Sequence, residues 1–246
     1  MTVTMKSSEQ NLQVFKTSAW YDSLANYTFP TSFMKLNEED KKLIIEGVCE
    51  GESVQGAIHR LNGAMKIFFG SKFVSVDCAA PTDTERFESK YGAVISAESA
   101  WRFLALSEKV RKSVASGNSD HICVRPYRRM SRPKEFRLFI KDKKLVGMSQ
   151  LWLTRHFRRL EGVKERFWKK ASAFFGEVSW LLPTVSSAVD IYFTASGRIL
   201  IVDINPWGDP TSPLMFRKWD HDWDNNGGVR IIPPPIKVSG DVKVSF

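Results

Sequence analysis

The chain has 246 residues, of which 43% are hydrophobic and 26% charged, a balance that excludes a disordered chain and leaves room for one large domain or two small ones. Its formal net charge of +9 points to anionic partners such as nucleotide, nucleic acid or an acidic protein face, although a solvated basic surface gives the same count. No apolar run approaches the roughly 18 residues of a membrane span, and the opening "MTVTMKSSEQNLQ" lacks an apolar signal core.

Cys49, Cys78 and Cys123 form no CxxC pair, which argues against a disulfide framework or a cysteine zinc site and fits a reducing, cytoplasmic setting. In chain order, Asn37 stands before "EEDKKLIIEG" with Asp40 placed as a capping-box acid, predicting a helix over about 38–47. "ESVQGAIHRL" predicts a second helix. "MKIFFGSKFVSVDC" reads as two short strands around Gly70-Ser71. Ser96 is placed to cap one long helix, "AESAWRFLALSEKVRKSV", in which Trp101, Leu104, Val110 and Val114 recur at helical spacing. After the breaker "SGNSD", "HICVRPY" reads as a strand. "EFRLFIKDKKLVGMSQLWL" follows as a hairpin turning near Asp142-Lys143. "GVKERFWKKASAFFGEV" is helical, a second hairpin follows it, and the proline run of "IIPPPI" makes an extended tail. This order predicts an α+β fold with a mainly antiparallel sheet in the second half.

The last hairpin, "VDIYFTASGRILIVDINPWGDPTSP", carries the chemistry. Strand alternation puts Val189, Ile191 and Phe193 on one face and Asp190 and Tyr192 on the other. On the returning strand Val202 and Ile204 share one face, and Ile201, Asp203 and Asn205 the opposite one. A two- or four-residue loop sets Asp190 directly across from Asp203, whereas a three-residue loop shifts the pairing by one. Opposed side chains stand about 5 Å apart, and like charges there repel. Either one carboxyl keeps its proton, or a divalent cation such as magnesium sits between them with Asn205 adding a neutral oxygen. Alternatively each aspartate bonds a nearby arginine or caps a loop. In "EFRLFIK", Glu135 and Arg137 share the face opposite Phe136, Leu138 and Ile140, and Arg125 lies between apolar Val124 and Pro126. Such arginines suit polyphosphate oxygens, or salt bridges to Glu135, Asp190 or Asp203.

These segments resemble a known family. "EFRLFIKDKKLVGMSQ" and "AVDIYFTASGRILIVDINPWGD" are similar to the motifs of the cell division cycle protein 123 family, as are "FKTSAWYDSLANYTFPTSFMKL" and "FVSVDCAAPTD". The likeness runs from about Phe15 to Phe216. It implies an ATP-grasp-like α+β fold, a single unit over 1–246 with an N-terminal lobe near 1–120 and a C-terminal lobe near 121–246. ATP and magnesium would lie between two lobes with largely antiparallel sheets. By position Asp190, Asp203 and Asn205 would be the magnesium ligands. Arg137 would reach the phosphates as the catalytic residue, and Val124 to Tyr127, with Arg125, would line the nucleotide pocket. The chain departs from the family at Ser75, where the family has lysine, at Cys78, where it has tryptophan, and at Leu151, where it has arginine. Lys66 or Lys72 is the candidate replacement for the missing lysine.

The resemblance implies an ATP-dependent assembly factor or chaperone docking a protein partner, translation initiation factor 2 through its gamma subunit. A carboxylate–amine ligase acting on a protein or peptide is the enzymatic alternative. A third reading takes the basic stretch around Arg158, Arg159 and Lys169, with Trp152, Trp168 and His156, as an RNA surface, against the plainer view that those tryptophans are core. P-loop, dinucleotide, H-E-x-x-H and G-x-S-x-G motifs are absent, and four scattered histidines propose no metal cluster.

Overall fold

Polar caps and apolar stripes build the first half of the computed structural model, which describes residues 12–220 and 222–235. Asn37 Oδ1 accepts from the Asp40 amide at 2.7 Å while Asp40 Oδ2 accepts from the Asn37 amide at 3.0 Å, closing the predicted capping box on the helix Glu38–Glu46. The helix Gln55–Met65 follows, burying Ala57, Ile58, Leu61 and Met65. Both pack with a three-stranded antiparallel sheet of order β1-β3-β2, in which β1 is Ser32–Lys35, β2 is Lys72–Val76 and β3 is His121–Pro126.

Two expectations need correction here. "MKIFF" is not a strand: Met65 ends the helix in the core, and Ile67 and Phe69 are 64% and 99% exposed, so the segment buries no face a strand could use. β2 pairs instead with the distant β3. The single long helix is two, Ala97–Ala105 and Glu108–Ala115. Ser107 breaks it because its buried hydroxyl accepts from the Val110 amide at 3.2 Å and donates to Asp83 at 2.6 Å, starting a new helix with a satisfied cap. Trp101, Leu104, Val110 and Val114 are all buried, as their spacing predicted.

The second half is a five-stranded sheet of order β7-β6-β4-β5-β8. β4 (Glu135–Lys141) turns into β5 (Lys144–Gln150) at Asp142 and Lys143, whose φ of +50° and +60° match a two-residue hairpin turn. The helix Lys164–Val178 then crosses to β6 (Ser187–Phe193) and β7 (Ile199–Pro206). Strand pairs in both sheets are antiparallel except that β8 (Gly228–Arg230), which the sequence did not signal, runs parallel to β5. One face of the sheet, with Phe136, Leu138, Val189, Ile191 and Ile204, packs on Ala171, Phe174 and Val178 of the helix. The other carries Glu135 and Arg137, then Phe139 beneath an aromatic lid of Trp207, Phe216, Trp219 and Trp223. The two sheets separate between Pro126 and Glu135, so the central strand of the first lobe lies past the boundary expected at 120. Among the described residues no helix is long and apolar enough to cross a membrane. The "IIPPPI" tail lies within the described residues only as far as 235.

Candidate functional site

The carboxylate hairpin reaches the expected pairing by an unexpected route. Its loop has three residues, 195–197, with Gly197 at φ +85° and the Thr194 amide donating to the Arg198 carbonyl at 2.8 Å. That loop shifts the register by one, so Ile191 faces Ile201. A β-bulge then leaves Val202 without a partner, and Asp190 falls directly opposite Asp203. The bulge also corrects the face assignment: Ile201 shares the core face with Ile204, while Asp203 turns to the cleft.

Asp190 has Arg137 as its cross-strand partner on one side and Asp203 on the other. The guanidinium grips it in bidentate fashion, Nε to Oδ1 at 2.7 Å and Nη2 to Oδ2 at 2.8 Å, and donates from Nη1 to the Ser212 carbonyl at 2.9 Å. Of the alternatives left open by the sequence, the salt bridge therefore holds for Asp190. Among the described residues Asp203 has no such partner. Its Oδ1 accepts from the Ile204 amide at 2.9 Å, and burial, then the neighbouring Asp190 charge, push its carboxyl up to about 7, with Arg125 and Arg137 offsetting part of the rise. Asn205 Nδ2 stands 3.5 Å from Asp190 Oδ2, and turning the amide over would present its oxygen to the same place. Glu135, buried on the same face, is also pushed up to about 7 by burial, an effect the Trp152 indole reduces and Asp190 adds to.

Arg125 enters from the other lobe on β3. It is 9% exposed, and donates from Nε to Thr31 Oγ1 at 3.1 Å and from Nη1 to the Val202 carbonyl at 3.0 Å. Arg125, Tyr127, Arg137, Asp190, Asp203 and Asn205 all line one cleft of about 1010 Å³ between the lobes, at the upper limit of ligand sites. Ser75, Cys78 and Leu151, the positions that depart from the family, line it too. Burial, then Asp203, pushes the Cys78 thiol up to about 12, so it stays protonated there. Lys66 and Lys72 are not among the lining residues. The lysines that are, Lys109 and Lys112, lie on the polar side of the helix Glu108–Ala115. Nothing in the sequence separated them from an ordinary solvated face. Of the tryptophans considered for an RNA surface, Trp168 packs against the core, and Trp152 stands in the cleft parallel to Phe87, with Arg132 4.5 Å above its ring. Among the described residues no three His, Cys, Asp or Glu side chains gather as a metal cluster.

The D123 family model matches residues 69–225, more than half of the chain. Curated relatives in Xenopus tropicalis and Xenopus laevis, each named translation initiation factor eIF2 assembly protein, are 34% identical over 87 residues and 35% identical over 83. The alignments cover 35% and 33% of this chain but only 26% and 25% of those proteins, about a quarter of their length. The structure of Cdc123 from Schizosaccharomyces pombe superposes with a TM-score of 0.75 at 18% identity, covering 92% of this chain and 98% of that one. This likeness establishes the fold, a pair of sheet-bearing lobes shared with that protein. The chain belongs to the D123 family.

Proposed function

We propose that the protein binds Mg-ATP in the interlobe cleft and acts as an ATP-dependent assembly factor for a protein partner, translation initiation factor 2 being the partner that the names of its relatives supply. The observation that carries this reading is the row Arg137–Asp190–Asp203 across three adjacent strands, opening into the cleft. One guanidinium neutralises one of the two carboxylates, and Asp203 is left in surroundings that disfavour its charge. Hard oxygens short of one positive charge fit a magnesium ion. Asp190, Asp203 and Asn205 would hold it, and the ion would supply charge neutralisation for phosphate oxygens. Arg137 stands ready for the same oxygens, its charge kept in place by Asp190 and the Ser212 carbonyl. Tyr127 and Arg125 form the wall from the first lobe. The free cysteines Cys49, Cys78 and Cys123 support work in the reducing cytoplasm.

Calorimetry tests the site. ATP binding should strengthen with magnesium in the native protein, and Asp203→Ala should abolish that gain; unchanged Mg-ATP binding by the variant would remove Asp203 from the site. Capture of the initiation factor 2 gamma subunit in the presence of ATP, with negligible phosphate release, marks an assembly factor. Steady phosphate release with a carboxylate and an amine acceptor marks a ligase instead.

A further inference from the structure

The pairing of Asp190 with Asp203 depends on one extra residue. Were β7 regular, the alternation begun by Ile199 and Ile201 would carry Asp203 into the core and set Val202 against Asp190. A bulge takes its extra residue out of the ladder, and the polar backbone groups there need other partners. Both carbonyls at this bulge find them in the first lobe. The Thr28 hydroxyl donates to the Ile201 carbonyl at 2.7 Å, and Arg125 Nη1 donates to the Val202 carbonyl at 3.0 Å. The guanidinium is itself fixed, because Thr31 Oγ1 accepts from Nε at 3.1 Å while donating to the Phe29 carbonyl at 2.9 Å. With two of its three nitrogens committed to protein oxygens, the buried Arg125 is poorly placed to surrender itself to phosphate. Arg137 is bonded through all three nitrogens but differs in its partner: two of the bonds go to Asp190, which a cation can take over, leaving only Nη1 on the Ser212 carbonyl.

We infer that Arg125 is a positioning residue: from the opposite lobe it holds the β7 bulge, and so holds Asp203 against Asp190. Closure of the first lobe and assembly of the cation site are then one event, since the bond to Val202 crosses between lobes. The inference rests on the Mg-ATP reading and assigns Arg125 a role other than the direct nucleotide contact expected from the sequence.

Manganese without nucleotide, followed by electron paramagnetic resonance, is the probe, with metal-free ATP in EDTA as the second ligand. Arg125→Gln should weaken Mn²⁺ binding about 10–100-fold, as loss of a partner that orients a metal ligand does, while metal-free ATP binding changes far less. If the variant does not fold, Thr31→Val, which frees the guanidinium without removing it, should weaken Mn²⁺ in the same sense. Variants that bind Mn²⁺ as the native protein does but lose metal-free ATP would make Arg125 a phosphate ligand and overturn the inference. Unchanged affinity for both would overturn it as well. A native protein that takes up no Mn²⁺ would sink the cation site itself, a different failure from either.

Discussion

Three side chains in a row set the electrostatics of the cleft. Arg137 and Asp190 are both buried, and removing one partner leaves the other as an uncompensated charge. Arg137→Met should lower the unfolding free energy by about 3–5 kcal/mol in urea titrations, far more than an exposed pair would lose. Asp203 behaves oppositely. A carboxyl raised from 3.8 to about 7 keeps in the fold a proton that the unfolded chain releases at lower pH. Stability should therefore decline as pH rises from about 4 to about 7 and level off above, with Glu135 adding to the same slope. Urea midpoints between pH 5 and pH 8 should fall in the native protein and fall less in Asp203→Asn. At pH 8 that variant should be more stable by on the order of 1–3 kcal/mol, reduced from about 1.4 kcal/mol per pKa unit because the group is partly open to the cleft. It should also bind Mg-ATP more weakly, the trade expected where a site is held against its own repulsion.

Caps and close approaches decide where elements begin and how near they pack. Ser107 separates two helices and is fully buried, so Ser107→Ala should reduce stability by about 1–2 kcal/mol, seen as a lower thermal midpoint. Gly147 lies under the aromatic lid, where a Cβ would come within 2.7 Å of Phe216 Cζ. Gly147→Ala should cost about 1–3 kcal/mol through overpacking, with loss of near-ultraviolet circular dichroism from the tryptophans above it. The bulge was half-legible in "ILIVDIN": isoleucines at 199, 201 and 204 break the period of two, and only an extra residue lets all three reach the core. The alternation rule, applied without that break, assigned Ile201 to the wrong face. It still arrived at the Asp190–Asp203 pairing because the three-residue loop and the bulge displace the register in opposite senses.

At the scale of the molecule the two lobes meet over the cleft, through Arg125 and through Thr28, which bridges to Ile201. A ligand seated between them binds only the folded pair. Mg-ATP at a hundredfold excess over its dissociation constant should add about 2.7 kcal/mol to unfolding, and the lobes should melt in one transition that shifts as a whole. Two transitions of which one shifts would divide the chain into independent units. The sequence by itself determined the helices with strong caps, the two hairpins, the core faces of β4 and β6 and the identity of the paired acids. These follow from local periodicity and from side chains that bond within a few residues of their own backbone. Only the tertiary structure decided that β2 joins β3 rather than "MKIFF", that Lys109 and Lys112 reach the cleft, and that Arg125 bonds the Val202 carbonyl 77 residues away. Those contacts are chosen by which surfaces meet once the lobes close, and residues far apart in the chain carry no local signal of a partner they acquire only by burial.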